Sequence, residues 1–244
     1  MTPQILVQAE PEATETESTA DAGTQNKKGW RTVKGKTYYY LKNGKKKTGW
    51  LELDGKTYYF SKKGVMQKGF QTIGEKQYYF NENGERQRGW QTIAKKRYYF
   101  NKKGEMLKGW QTLSKKRYYF NKEGVMLSGW KKLNGKRYYF EKKTGVLQTG
   151  WKDINGERYY LGTDGVMRKG WQTLGKKKYY LGTDGVMCKG WQTISEKKYY
   201  FDKNGVMQTG LKTISNKKYY LKKGVMQTGW QTINGKNTIF PKRV

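Results

Sequence analysis

A recurrent trio of side chains, an amide, an ammonium group and a phenol ring, is the feature of this sequence best suited to chemistry. The run Gly-Trp-Gln-Thr-Leu-Ser-Lys-Lys-Arg-Tyr-Tyr-Phe from Gly109 contains one such trio, Gln111, Lys116 and Tyr118. Sugars are bound by an aromatic ring under their C–H face and by hydrogen bonds to their hydroxyls, and Gln and Lys supply those hydrogen bonds. We therefore predict carbohydrate-binding sites at five complete trios, with an unliganded, solvated strand edge as the alternative: Gln71/Lys76/Tyr78, Gln91/Lys96/Tyr98, Gln111/Lys116/Tyr118, Gln172/Lys177/Tyr179 and Gln192/Lys197/Tyr199.

The trios recur because the chain is built from repeats of about 20 residues. A Gly-Trp pair, or its Gly-Phe and Gly-Leu equivalents at Gly69 and Gly210, begins each repeat. One repeat is a residue longer, near Thr144, and another is a residue shorter, near Lys223. Periods of this length are typical of arrays of stacked units. The sequence predicts ten full repeats and a terminal half over residues 29–244.

Each repeat has the pattern of a β-hairpin. The segments Trp-Gln-Thr-Leu and Arg-Tyr-Tyr-Phe are rich in aromatic and branched residues, which favour strands. Between such segments lie pairs that supply the positive φ angles of a two-residue turn; they are Asp54-Gly55, Asn134-Gly135, Asn155-Gly156 and Asn234-Gly235. A single hairpin is marginal in water, so the hairpins must stack on one another. The predicted fold is an all-β solenoid of stacked β-hairpins.

The turn position fixes which side chains share a face. A turn at Ser114-Lys115 pairs Gln111 with Tyr118 and Trp110 with Tyr119, and residues that alternate along a strand point to opposite faces. Taken singly, each aromatic residue is a core residue, but grooves between repeats should leave some edges exposed. The predicted aromatic groove comprises Trp90, Trp110, Trp130, Trp151, Trp171 and Trp191.

Composition argues against catalysis and against a metal or cofactor site. The 244 residues include no histidine and one cysteine, Cys188, and the carboxylates lie at non-equivalent positions of the repeats. Histidine is the commonest general base and metal ligand, and glycosidases need two carboxylates held across a cleft. A dimer through Cys188 remains an alternative. No stretch is long and apolar enough to be a membrane helix.

The net charge of +32, from 51 Lys and Arg against 19 Asp and Glu, predicts an anionic partner. Such a field attracts polyanions and is weakened by salt. Among anions, phosphate groups suit Lys and Arg. Nucleic acid would bind adventitiously, since no recognised nucleic-acid fold signature is present. A polyanion-binding structural protein with purely structural aromatics is the rival from another class.

Residues 1–28 differ from the repeats, since they carry five acidic residues and no aromatic residue. Such a composition predicts a disordered acidic leader or linker. The segment Ile5–Ala9 is also compatible with the remnant of a signal peptide.

The repeats resemble those of the bacterial cell-wall-binding superfamily. The resemblance covers residues 29–240 and rests on the pattern Gly-Trp-Gln-Thr-Ile, Lys-Lys-Tyr-Tyr-Phe and Asn-Gly-Val-Met. The superfamily includes choline-binding repeats, glucan-binding repeats of glucansucrases and the C-terminal repeats of large clostridial toxins. The resemblance implies a non-catalytic module, secreted or on a Gram-positive surface, that binds wall polysaccharide or teichoic acid for a catalytic partner domain.

One position separates the subfamilies. Choline-binding repeats usually read Trp-Tyr-Tyr in the second strand, and that extra Trp forms one wall of a cation–π cage. A cation there would repel a quaternary ammonium ion, so the resemblance favours sugar pockets over choline sites, with a choline-binding module as the alternative. The equivalent positions here are Thr37, Thr57, Gln77, Arg97, Arg117, Arg137, Arg158, Lys178, Lys198 and Lys218.

Overall fold

The computed structural model describes residues 28–240, and the secondary structure in this range consists of strands and turns. The predicted leader therefore lies outside the described residues, apart from its last residue. The strands are β1 (Gly29–Val33), β2 (Lys36–Tyr40), β3 (Gly49–Leu53), β4 (Lys56–Phe60), β5 (Gly69–Ile73), β6 (Lys76–Phe80), β7 (Gly89–Ile93), β8 (Lys96–Phe100), β9 (Gly109–Leu113), β10 (Lys116–Phe120), β11 (Gly129–Leu133), β12 (Lys136–Phe140), β13 (Gly150–Ile154), β14 (Glu157–Leu161), β15 (Gly170–Leu174), β16 (Lys177–Leu181), β17 (Gly190–Ile194), β18 (Lys197–Phe201), β19 (Gly210–Ile214), β20 (Lys217–Lys222), β21 (Val225–Gln227), β22 (Gly229–Ile233) and β23 (Lys236–Phe240).

Consecutive strands form antiparallel hairpins in the predicted register. In β9 and β10, Gln111 pairs with Tyr118 and Trp110 with Tyr119. Both turn residues between them, Ser114 (φ 49°) and Lys115 (φ 63°), lie in the left-handed region. This geometry is the type I′ turn that matches the twist of a hairpin. The predicted fold class, all-β with stacked hairpin repeats of about 20 residues, is confirmed.

The loop after the second hairpin joins that hairpin to the first. The N–H of Met66 donates to the carbonyl oxygen of Thr37 at 2.8 Å, while that of Gln67 donates to Tyr59 at 2.8 Å. One short segment therefore completes backbone hydrogen bonds of two successive hairpins, because neighbouring residues of an extended chain point their N–H groups to opposite sides. The bond also holds Met66 beside the first hairpin.

The core is formed by the second-strand residue that pairs with the first glycine of each hairpin, as Phe60 pairs with Gly49 and Leu221 with Gly210. These side chains are fully buried in most hairpins: Phe60, Phe80, Phe100, Phe120, Phe140, Leu161, Leu181, Phe201 and Leu221. Within each compact unit, these hairpins thus contribute one large side chain each to an apolar core column. Burying a Phe or Leu side chain stabilises a protein by about 1.5–3 kcal/mol.

The chain divides into two compact units. One contains residues 28–88 and 102–105, and the other contains residues 89–101 and 106–240. In the second unit, the shorter repeat near Lys223 forms an extra strand, β21, which pairs with both β18 and β20 in a five-stranded sheet. No helix in residues 28–240 has the length and apolar character needed to cross a membrane.

Candidate functional site

Each Gly-Trp indole before Trp230 packs against two tyrosines from successive hairpins. The Trp30 ring lies 5.1 Å from Tyr39 of its own hairpin and 4.9 Å from Tyr58 of the next, both edge-to-face. In the second unit, Trp110 lies 5.2 Å from both Tyr119 and Tyr138. Edge-to-face aromatic pairs contribute about 0.5–1.5 kcal/mol beyond area burial. The repeat period therefore builds an aromatic cluster at the junction of two hairpins.

An arginine covers the indole in four successive hairpins of the second unit. The Arg97 guanidinium carbon lies 4.5 Å from the Trp90 ring centroid, and that of Arg117 lies 4.6 Å from Trp110. In each hairpin the Arg is the diagonal neighbour of the Trp on one face of the sheet, so its side chain reaches across the strands. The same contact is 4.6 Å for Arg137 over Trp130 and 5.3 Å for Arg158 over Trp151.

The first hairpin has a threonine at this position, and a pocket lies there instead. Trp30, Thr37, Tyr58 and Met66 line a space of about 280 Å³, together with Lys68, Glu82 and Asn83. Trp30 is 40% exposed, whereas Tyr58 is 8% and Met66 is 9% exposed. The pocket therefore combines an accessible indole with a rigid wall formed by a buried phenol and a thioether.

The charge around this pocket is balanced, whereas other surfaces of the repeats are strongly basic. One lysine and one carboxylate, Lys68 and Glu82, lie at the Trp30 pocket. In the second unit, by contrast, a pocket of about 360 Å³ is lined by Lys176, Lys177, Lys178 and Lys223. A cationic ligand is therefore repelled much less at Trp30 than at the lysine pocket.

The predicted trios are assembled within their hairpins as expected. The Gln and Tyr of each trio are direct cross-strand partners, as in Gln71 with Tyr78 and Gln172 with Tyr179. The Gln71 Nε2 group donates to the Lys68 carbonyl oxygen at 2.7 Å. Equivalent bonds of 2.8 to 3.0 Å hold Gln111, Gln172 and Gln192. The lysines of all five trios are exposed; they are Lys76, Lys96, Lys116, Lys177 and Lys197.

The tyrosines of the trios are less accessible than an open sugar platform would be. Tyr98 and Tyr118 are buried, each with 8% of its surface exposed. Tyr78, Tyr179 and Tyr199 are half-buried. Sugar binding by the trios stays a prediction.

Tyr199 lies between two other strands of its sheet. Its ring packs edge-to-face against Trp171 of the preceding repeat, with the centroids 4.9 Å apart. Its backbone pairs with Gln192 as predicted and also with Val225 of β21 on its other side. Tyr199 therefore lies inside a five-stranded sheet rather than at a free strand edge, because the shortened repeat adds β21 there.

Sequence reasoning missed that trio tyrosines pack against the tryptophan of the preceding repeat. Tyr118 lies 5.1 Å from Trp90. In a single hairpin, Trp110 and Tyr118 project from opposite faces, so the pattern of one repeat does not bring the Trp and the trio tyrosine together. The constant spacing of 28 residues between Trp30 and Tyr58, and between Trp90 and Tyr118, is the signal that could have revealed the contact.

The tryptophans of the predicted groove are unequally exposed. Trp171 has 41% of its surface exposed. The others are half-buried; they are Trp90, Trp110, Trp130, Trp151 and Trp191. Four of these five lie under an arginine, which accounts for part of their burial. Ligand binding along this groove stays a prediction.

No group of three or more Cys, Asp or Glu side chains converges within residues 28–240. Cys188 is half-buried and carries a free thiol, and burial raises its pKa.

Comparison with known proteins identifies the family of these repeats. The family model of the choline-binding repeat matches residues 27–68, 67–108, 107–147, 148–189, 168–208 and 188–228. The chain belongs to the choline-binding repeat family. No curated protein sequence matches it. The predicted cell-wall-binding repeat superfamily is thereby confirmed.

Solved structures of choline-binding proteins are similar to this chain over most of its length. CbpJ from Streptococcus pneumoniae TIGR4 is 30% identical with a TM-score of 0.67, and the match covers 88% of this chain and 92% of CbpJ. Choline binding protein F from Streptococcus pneumoniae is 28% identical with a TM-score of 0.61, covering 88% and 91%. The modular autolysin LytC from Streptococcus pneumoniae shares the fold at 23% identity and a TM-score of 0.56, covering 87% of this chain and 51% of LytC.

Proposed function

We propose that this chain is a non-catalytic anchoring module that binds choline on wall teichoic acid at the pocket of Trp30, Tyr58 and Met66. A quaternary ammonium ion is held by aromatic faces that replace its weak hydration shell. The observation that carries the proposal is the exposed Trp30 indole, which has Thr37 where other hairpins place an arginine over the ring. Membership of the choline-binding repeat family supports the same ligand.

The basic charge of the repeats assists this binding. Teichoic acid is a phosphate polymer, and the +32 charge draws such polymers to the chain over long distances. Direct stacking on Trp30 would then select the choline substituent, while the lysines strengthen retention most at low salt. We place the chain at the outer surface of a Gram-positive cell, where such polymers occur, as the anchor of a separate catalytic domain.

Retention on purified choline-bearing walls tests the proposal. Wild-type protein should bind in high salt and be released by free choline, because stacking survives screening whereas exposed charge pairs do not. The variant Trp30→Leu should be released in high salt without choline. Wild-type retention that choline does not reverse would contradict a choline site and favour binding by charge alone.

Sugar binding by the Gln–Lys–Tyr trios is the second candidate. The backbone hydrogen bonds of Gln71, Gln111, Gln172 and Gln192 favour it, because they hold each amide in one orientation beside its tyrosine. Many weak sites on one chain would gain avidity only for a polymer. Native electrophoresis toward the cathode, in high salt and with a neutral α-glucan in the gel, should then retard the protein relative to a basic control. Unchanged mobility would contradict the trio sites.

A further inference from the structure

Arg86 occupies a position that most other repeats give to methionine. The residue bridges to the last residue of its own hairpin, Phe80, as Met66 does to Phe60. Its N–H donates to the Thr57 carbonyl oxygen at 2.8 Å, which corresponds to the bond from Met66 to Thr37. The backbone at Arg86 is thus the same as at Met66. The pocket beside Trp50 therefore has a guanidinium where the Trp30 pocket has a thioether.

The Arg86 side chain is confined by its surroundings. Its guanidinium carbon lies 5.4 Å from the Trp50 ring centroid. On another side lies Gly104, where a Cβ atom would approach the Arg86 Cδ to 2.6 Å and where φ is +75°. Only glycine fits this position without strain, since both the space and the backbone angle disfavour a side chain. The guanidinium is therefore held between an indole and the backbone of the next loop.

This confined cation is incompletely compensated. Its Nε atom is buried and makes no hydrogen bond. Burial lowers the pKa of Arg86, and the charge of Arg88 lowers it further. Leaving a donor of a charged group buried without a partner is strongly unfavourable. The positive charge of a guanidinium is spread over its three nitrogens. An anion bound to the exposed nitrogens of Arg86 would therefore also compensate the charge at the buried Nε.

The surrounding pocket has the space and the charge for such an anion. It measures about 620 Å³ and is lined by Trp50 and Tyr78 together with Arg86, Arg88, Lys102 and Lys103. Two carboxylates, Glu52 and Glu105, also line it, so basic groups outnumber acidic ones by two to one. A quaternary ammonium ion is repelled here, in contrast with the Trp30 pocket one hairpin earlier.

We propose that the pocket of Trp50, Arg86, Arg88, Lys102 and Lys103 binds the phosphate group of a phosphate ester. The planar guanidinium matches two phosphate oxygens, and the lysines add point charges around it. The two carboxylates accept hydrogen bonds from hydroxyls of the esterified alcohol. Stacking on Trp50 keeps the guanidinium in one orientation, so little side-chain freedom is lost on binding. The site does not depend on the proposed choline function.

Calorimetric titration of the full chain tests this site with two probes, inorganic phosphate and poly(glycerol phosphate). The variant Arg86→Met has the methionine found at this position in most other repeats. It should weaken binding of both probes about tenfold, because the loss of one charged hydrogen-bonding group lowers affinity by about that factor. The variant Lys203→Met removes the same charge from an exposed loop and should leave both affinities unchanged. Tighter binding of the polymer than of the free ion is the result expected for an esterified phosphate, and the reverse would contradict an ester as the ligand.

This experiment can refute the phosphate site or the choline site without refuting the other. Equal affinities of wild-type protein and Arg86→Met for both probes, or no binding of either probe to wild-type protein, would overturn the phosphate site. Choline titrated into the same samples should bind both proteins at Trp30, and Arg86→Met should also gain a choline site, because the change uncovers Trp50 beside Thr57 and Tyr78. If no sample binds choline, including wild-type protein, the choline site would be refuted and the phosphate site would not be affected.

Discussion

The guanidinium carbon of Arg97 lies 4.5 Å from the centroid of the Trp90 ring. A quaternary ammonium ion would use the same aromatic cluster, whose other walls are Tyr118 and Phe120. The Arg97 guanidinium therefore occupies the place beside this indole that a cationic ligand would take. Such a stack stabilises the hairpin by about 0.5–2 kcal/mol, depending on its exposure. At the Trp30 and Trp90 junctions, the difference between Thr37 and Arg97 would then decide whether the indole is open or closed to choline.

Removal of the covering arginine should open a new site. In the variant Arg97→Thr, we expect calorimetry with choline to show a larger number of bound ligands per chain than wild-type protein shows. The physical reason is that Trp90 and Tyr118 then present the same open arrangement as Trp30 and Tyr58. Lys203→Thr removes an equal charge from an exposed loop and should leave the number unchanged. Equal stoichiometry for Arg97→Thr and wild-type protein would refute the role given to the arginine.

Truncation of the core column should destabilise the protein strongly. Phe120 is fully buried, and Phe120→Ala should lower the free energy of unfolding by about 3–5 kcal/mol through lost burial and a cavity. Leu211→Ala, at a side chain that is 53% exposed, should cost about 1 kcal/mol or less. Urea denaturation followed by circular dichroism measures both. Similar losses for the two variants would show that the column does not carry the stability.

Alkaline pH should destabilise the repeats through their buried phenols. Burial raises the pKa of Tyr58, Tyr78 and Tyr98 above the usual 10.0, and nearby carboxylates raise it further. In the unfolded chain these phenols ionise at their ordinary pKa, so this stabilisation is complete below pH 10.0 and is lost as the pH rises above it. Thermal unfolding between pH 8 and 11 measures the effect. Tyr58→Phe should make the decline less steep, and an unchanged slope would exclude Tyr58 as a cause.

Substitution by glycine should raise the free energy of unfolding at turn residues whose positive φ disfavours a side chain. Lys115 adopts a φ of 63°, which disfavours residues with a side chain, and Lys115→Gly should raise the free energy of unfolding by about 1 kcal/mol. Lys116→Gly, one residue later in the strand, should instead destabilise the protein by about 0.5–1 kcal/mol. Opposite signs in urea denaturation are the expected result. Destabilisation by both changes would contradict the type I′ turn at this position.

The hairpins and their register could be predicted because they depend on local sequence. A two-residue turn leaves one register, so the pairing of Gln111 with Tyr118 follows from the position of Ser114-Lys115. Recurrence across the chain then made stacking the only way to bury the aromatic residues. The fold class therefore followed from one repeat and its period.

The junction pockets could not be predicted from one repeat because each combines residues of successive hairpins. Trp30 meets Tyr58 and Phe60 of the next hairpin, and the rotation between hairpins that brings them together leaves no mark on the pattern of either strand. The sequence correctly identified the position of Arg97 as one that carries a cation. It gave no sign that the side chain lies on the indole itself, or that Thr37 leaves the first pocket open.

The most direct test of this account is to close the open pocket with the arginine that other hairpins carry. Thr37→Arg should weaken choline binding to the full chain about tenfold or more in calorimetry, since the new guanidinium would cover Trp30. Thr232→Arg adds the same charge to the exposed strand of the last hairpin and should leave the affinity unchanged. Equal weakening by both variants would indicate general charge repulsion, and full choline affinity in a folded Thr37→Arg protein would contradict a choline site at Trp30.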